Sequence, residues 1–157
     1  MRIRTIAIAV LSVFILSVSL LAQVTPAQRA EIEKTLTEAQ KEINASINQL
    51  STDGWIKYAS EDFQERVGSG NALAPGGKET FIKWLTNLIS QRASQKVDID
   101  SIKVFAISPE SAYVLVIGGG TLVLKNGRHG GFGWASTFIW RKEPSGWKIV
   151  HYHESSW

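Results

Sequence analysis

Apolar residues recur at helical spacing in the first half of the chain and alternate in the second half. Ile32, Leu36, Ala39, Ile43, Ile47 and Leu50 fall three and four apart, which places them on one stripe of a helix of about six or seven turns. Thr25-Pro26-Ala27-Gln28 starts it with a capping hydroxyl, a proline suited to the first helical position, and a glutamine that completes a capping box. Ser51-Thr52-Asp53-Gly54 stops it. A shorter helix is expected from Trp55 through Phe63, with Trp55, Tyr58 and Phe63 near one face. Gly68-Ser69-Gly70-Asn71 and Pro75-Gly76-Gly77 bound a loop. The spacing predicts a third helix from about Lys78 to Arg92, burying Phe81, Trp84, Leu85, Leu88 and Ile89.

After Ser94 the period changes to two. Val97, Ile99 and Ile102 to Ile107 form one expected strand, and Ser108-Pro109-Glu110-Ser111 turns the chain. A long strand follows from Ala112 to Leu124, then the hairpin signal Lys125-Asn126-Gly127-Arg128. Gly131 to Arg141 and Trp147 to Glu154 are the last two strands, joined through Glu143-Pro144-Ser145-Gly146. Helices first and an antiparallel four-strand meander afterwards means α+β, with three helices on one face of the sheet. Gly118-Gly119-Gly120 lies inside a strand and marks a bulge or sharp bend. A phosphate loop is not expected there, because no helix follows to present its N-terminus.

The start of the chain has a different character. Met1-Arg2-Ile3-Arg4 is basic, Ile6 to Leu21 is apolar apart from hydroxyl residues, and Gln23-Val24-Thr25-Pro26 opens a polar stretch. This is the layout of a secretory signal peptide over residues 1–22, with cleavage after Ala22. An uncleaved anchor competes, but the apolar run is shorter than the roughly 20 residues a spanning helix needs. The chain has no cysteine after the run to accept a lipid. Export to the periplasm or the exterior is therefore expected, with no membrane attachment after cleavage. Losing Arg2 and Arg4 with no acid takes the formal charge from +3 to +1. No basic patch remains to suggest nucleic acid. Residues 23–157 suffice for one domain with a real core. With no cysteine there is no disulfide framework, thiolate nucleophile or Cys-ligated zinc.

The chain from about residue 26 to 156 resembles the nuclear transport factor 2-like superfamily. The specific residues are Ser136-Thr137-Phe138-Ile139-Trp140 and Gly146-Trp147-Lys148-Ile149-Val150-His151-Tyr152-His153-Glu154-Ser155. The likeness is to SnoaL-like domains and to the association domain of calcium/calmodulin-dependent protein kinase. It implies a conical α+β barrel, a pocket between the helices and the concave sheet face, and a homodimer. The superfamily includes isomerases, dehydratases, cyclases, ligand binders and assembly modules, so fold does not choose function. In the kinase association domain pocket arginines hold carboxylates. Two of those positions match Phe138 and Glu154 here, and neither is basic, which argues against an anionic ligand by that route. The ketosteroid isomerase residues match no motif of this chain.

Strict alternation puts Trp147, Ile149, His151, His153 and Ser155 on one face of the last strand, and Lys148, Val150, Tyr152 and Glu154 on the other. The resemblance places the Glu154 face in the pocket. The expected ligand-binding residues are Tyr58, Trp84, Trp134, Ser136, Phe138 and His153, with Glu154 and Tyr152 as the catalytic candidates. A carboxyl within apolar walls has a raised pKa and can act as general acid or base. A solvated residue near the end of the chain is the alternative. His151-Tyr152-His153 puts two rings on one face, as metal sites require, but His129, Glu143 and Asp62 lack a third ligand's spacing. No metal and no cofactor are expected. No Ser sits in a Gly-x-Ser-x-Gly turn. The expected function is binding of a small, largely apolar molecule in a cone-shaped pocket. The alternatives are a small isomerase, cyclase or dehydratase using Glu154, and a non-catalytic accessory or assembly module. A bulge near Ile149 would swap the histidine and glutamate faces.

Overall fold

A computed structural model describes residues 24–68 and 76–157. The expected export segment, 1–22, and most of the expected loop between residues 68 and 77 lie outside the described residues. The element order is α1 (Pro26–Asn48), α2 (Asp53–Tyr58), β1 (Ala59–Gly68), α3 (Lys78–Ser90), β2 (Arg92–Ser108), β3 (Ser111–Leu124), β4 (His129–Glu143) and β5 (Gly146–Ser156).

Helix α1 starts as its sequence requires. The Gln28 backbone N–H donates to Thr25 Oγ1 over 3.2 Å, and the Thr25 N–H donates to Gln28 Oε1 over 2.9 Å. Its buried face is Ile32, Leu36, Ala39 and Ile43, with Gln40 buried among them. Helix α3 buries Phe81, Leu85 and Ile89, whereas Trp84 is exposed and Leu88 only half-buried. The apolar stripe on this helix is thus narrower than the sequence predicts.

The architecture is α+β, and the curved sheet is open and mostly antiparallel. It has five strands in the order β1-β5-β4-β3-β2 rather than the expected four. The additional strand comes from the segment read as the end of the second helix. That helix stops at Tyr58, and Ala59–Gly68 pairs in parallel with β5. Alternation accounts for the change. Phe63 is fully buried between exposed Asp62 and Gln64, which is a strand period that the aromatic spacing Trp55, Tyr58, Phe63 conceals.

Two irregularities shape the concave face. On β2, Ile99 pairs with Gly118 and Ser101 with Ile117, so Asp100 is an extra residue opposite the glycine run. At Gly118 and Gly120 the β2 backbone approaches so closely that a Cβ would overlap the carbonyl oxygens of Asp98 and Lys96. The rings of Trp134 and Phe132 fill the remaining space, at 2.8 and 3.0 Å from the same Cβ positions. On β5, His151 pairs with Ile139 but Ile149 pairs with the next residue, Trp140, which leaves Val150 as the extra residue. This bulge breaks the expected alternation. Ile149 and Tyr152 are both buried, on the same inner face.

Trp55 is the centre of the core. Its ring centroid lies 4.6 Å from that of Phe81, 4.8 Å from Tyr152 and 5.8 Å from Phe138. One residue of a six-residue helix thereby joins α3, β4 and β5. Among the described residues no helix is long and apolar enough to cross a membrane.

Candidate functional site

A cavity of about 140 Å³ opens between α1, α3 and the concave side of the sheet. Most of its wall is apolar. Trp55 and Phe81 meet Trp134 and Phe138 from the sheet, and Ile43, Leu85 and Val97 close the sides. Trp84 lines it from α3 while remaining 43% exposed, which places this indole at the mouth. The Phe81 and Trp84 rings are 5.8 Å apart, so the mouth and the core form one aromatic surface.

One side of this wall is polar. Ser136, Tyr152 and Glu154 all line the cavity. Tyr152 Oη donates to Glu154 Oε2, and Ser136 Oγ lies 3.4 Å from both that oxygen and the phenol oxygen. The bulge at Val150 makes this grouping possible, because it turns Tyr152 and Glu154 toward the interior above Ile149. Ser136 is opposite Glu154 on the adjacent strand, as the antiparallel register requires.

Burial is the main electrostatic influence. It pushes the Glu154 carboxyl above the ordinary carboxylate range, against the opposing pull of Tyr152, Ser136, Arg92 and His153. Burial also raises Tyr152 well above the usual phenol range, with the Glu154 charge adding to it. Tyr152 is therefore a neutral hydrogen-bond donor at physiological pH. Arg92 lines the same cavity, and burial lowers its pKa while Glu154 pulls it up. Arg92 Nη1 donates to Gln95 Oε1, and Gln95 Nε2 donates to the Ile47 carbonyl. This ties the start of β2 to the end of α1 and holds the guanidinium in the wall. No protein hydrogen bond engages Glu154 Oε1 among the described residues, so this oxygen is the one available to a ligand.

Of the residues expected from sequence, Trp84, Trp134, Ser136, Phe138, Tyr152 and Glu154 meet in the cavity. Tyr58 and His153 do not. Tyr58 Oη donates to Glu42 Oε2 over 2.7 Å, and its ring packs against Trp140 at 5.6 Å. His153 is exposed and stands opposite Thr137, on the outer face of β5. No group of His, Asp and Glu able to hold a metal ion occurs among the described residues.

Three polar wall residues were not expected: Gln40 and Asn44 on α1, and Arg92. Gln40 had a readable signal, since it is a polar residue within the apolar stripe, one position after Ala39 and three before Ile43. Arg92 had none, because it follows the last helical turn where an arginine is unremarkable.

The family model for the calcium/calmodulin dependent protein kinase II association domain matches residues 34–157. A nuclear transport factor 2-like superfamily protein from Salmonella enterica serovar Typhimurium is similar in structure, with a TM-score of 0.70 at 17% identity over 80% of this chain and 91% of that one. The CaMKII hub of S. rosetta gives 0.65 at 19% identity over 86% and 99%. A Novosphingobium aromaticivorans protein provisionally assigned as a scytalone dehydratase gives 0.69 at 13% identity over 79% and 83%. No curated protein matches the sequence. At these identities structural likeness establishes the fold and leaves the chemistry to the site.

Proposed function

We propose that this chain, which belongs to the calcium/calmodulin dependent protein kinase II association domain family, is an exported binding protein for a small, largely apolar ring molecule held in the cone. The carrying observation is the largely aromatic cavity in which Ser136, Tyr152 and Glu154 group on one polar side. Its volume of about 140 Å³ suits one six-membered ring, since an apolar cavity of roughly 150 Å³ takes up benzene. The ring packs among Trp55, Phe81, Trp134 and Phe138, and a hydroxyl or amino substituent donates to Glu154 Oε1. Export rests on the basic start and the apolar run from Ile6 to Leu21. A homodimer is part of the same proposal. It is supported by the outer sheet face, where Phe105 stacks on Tyr113 at 4.5 Å and Ile117 and Ile139 are exposed.

Native mass spectrometry of the protein, expressed with its export segment, tests this reading together with a phenol titration. Expected are an organic adduct that disappears on denaturation, or phenol-dependent shifts of the indole N–H signals of Trp55 and Trp134. A mass without adduct, combined with indoles indifferent to phenol, would sink the binding reading. The same spectrum reports whether the protein is a dimer.

One observation supports a second reading. A half-buried carboxyl with a raised pKa and one unengaged oxygen is suited to general acid–base chemistry. A small isomerase, cyclase or dehydratase would use Glu154 to move a proton, with Tyr152 holding the carboxyl in place. Glu154→Gln separates the readings: lost turnover with retained binding favours the enzyme.

A further inference from the structure

We infer that two copies of this chain join through the free edge of β2, strand to antiparallel strand about Val104, so that their sheets become continuous. The inference rests on the homodimer reading above and names the contact that holds the two copies.

β2 ends the sheet and has a neighbour, β3, on one side only. Its other side is closed at Val97. The Val97 N–H donates to Asn48 Oδ1 over 2.7 Å, and its carbonyl accepts from Asn48 Nδ2 and Asn44 Nδ2 over 2.9 and 3.1 Å. Two side chains of α1 thus stand where a further strand would lie. Val97 also fixes which later groups point away from β3. Outward and inward groups alternate along a strand, and the extra residue Asp100 shifts that alternation by one. Ile102, Val104 and Ala106 therefore direct their N–H and C=O groups outward. No protein hydrogen bond engages these groups among the described residues. The open stretch is bounded by the bulge at Asp100 and by the turn after Ser108.

The composition of the stretch suits pairing. Ile102-Lys103-Val104-Phe105-Ala106-Ile107 is apolar apart from one lysine, and Phe105 and Ile107 are exposed on the outer face. An edge of this kind is a template for another strand. A second copy of β2 matches it. With Val104 opposite the partner's Val104, Ile102 meets the partner's Ala106, and every outward group finds a partner. Lys103 then stands opposite the partner's Phe105, where its ammonium can rest on the ring. Ser108 of each copy comes opposite Asp100 of the other, so neither strand runs into the asparagines at Val97. The neighbouring registers do worse. One opposes Lys103 to itself, and the other carries Ile102 out to the partner's Ser108 at the start of the turn. A two-fold match of this kind is a property of self-association, since a strand from another protein needs none.

Sedimentation velocity of the full-length protein over a concentration series measures the dimer. Val104→Pro removes the central outward N–H from both copies and spares the β3 ladder, because proline is tolerated where the N–H of an edge strand faces solvent. It should weaken the dimer about 10- to 100-fold, the worth of the two central hydrogen bonds. The register has its own test. The chain has no cysteine, so introduced thiols are the only ones present. Directly opposed positions of the closer, non-hydrogen-bonded kind can form a disulfide. A mixture of Lys103→Cys and Phe105→Cys proteins should therefore cross-link under mild oxidation, while each variant alone stays largely uncrosslinked. A dimer unchanged in a folded Val104→Pro protein overturns the inference. A mixture that cross-links no better than the single variants overturns it too, and that result needs no proline variant. Either outcome leaves the homodimer reading standing on some other contact. If the wild-type protein sediments as a monomer throughout, the homodimer reading falls and this inference falls with it.

Discussion

Gly118→Ala tests whether the cavity wall depends on aromatic rings and a neighbouring backbone packed directly onto glycine. A Cβ at this position would overlap the Asp98 carbonyl oxygen and stand 2.8 Å from Trp134 Cζ2. The first obstacle is backbone, so no rotamer change relieves it. Overpacking of this kind costs about 1–3 kcal/mol. For a domain of this size each kcal/mol lowers Tm by about 2–4 °C, so the variant should melt about 2–12 °C below the wild type. Gly130→Ala is the control within the same pair of strands. Its added carbon would meet only Leu122, at an ordinary 3.6 Å. Replacing glycine in an unstrained strand position gains about 0.4–1 kcal/mol by restricting the unfolded chain. Circular dichroism melts of both variants measure the gap. The Trp134 indole N–H signal should also move in Gly118→Ala alone, because its ring is the second obstacle. If Gly118→Ala melts with or above Gly130→Ala, close packing is not the reason for glycine here.

Three further outcomes follow from the geometry. Leu36 is fully buried on α1, and Leu36→Ala should cost about 2–5 kcal/mol in urea unfolding; a loss below 1 kcal/mol on the same scale would mean that α1 is not docked as described. Burial raises the folded-state pKa of Glu154 above its unfolded value, so the folded protein holds that proton more tightly. The resulting stabilisation is complete below the unfolded pKa and is lost as pH rises through the folded pKa. The gain in stability from Glu154→Gln, measured by urea midpoints, should therefore be larger at neutral pH than near pH 4, and a pH-independent gain would refute the shift. Finally, His153→Ala and Tyr58→Phe should leave any phenol titration unchanged, since both side chains lie away from the cavity. A several-fold loss of affinity in either variant would contradict that placement.

Long, regular elements were the most legible in the sequence. The capping box at Thr25 and Gln28, the apolar stripe of α1 and the β3–β4 hairpin all stand where local pattern puts them. Each depends on contacts near in sequence. The strand β1 was hidden because its partner lies about 90 residues away on β5, and no local signal specifies a parallel pairing at that distance. Aromatic spacing over Trp55, Tyr58 and Phe63 suits a helix, and only the alternating exposure of Asp62, Phe63 and Gln64 reveals the strand. The glycine run marks a bulge or sharp bend, and a bulge stands opposite it. The extra residue proved to be Asp100, on the neighbouring strand, because glycine permits the close approach while its partner absorbs the change in register.

The site shows how one residue of register decides what faces a ligand. By strict alternation Ile149, His151 and His153 share a side, yet Ile149 is fully buried and His153 exposed. A strand cannot meet both demands without an extra residue, and Val150 supplies it. The hydrophobic pattern contained the tension, since Ile149 and Tyr152 are both core residues an odd number apart. The polar partners of the cavity were less accessible to sequence reasoning. Arg92 belongs there because Gln95 ties the start of β2 to the Ile47 carbonyl, a contact between segments 48 residues apart. Gln40 is the opposite case. Its place among Leu36, Ala39 and Ile43 puts a polar residue on the buried stripe of α1, a pattern the sequence itself displays. A polar residue on the buried stripe of a helix is thus a sequence-level trace of the cavity's polar wall.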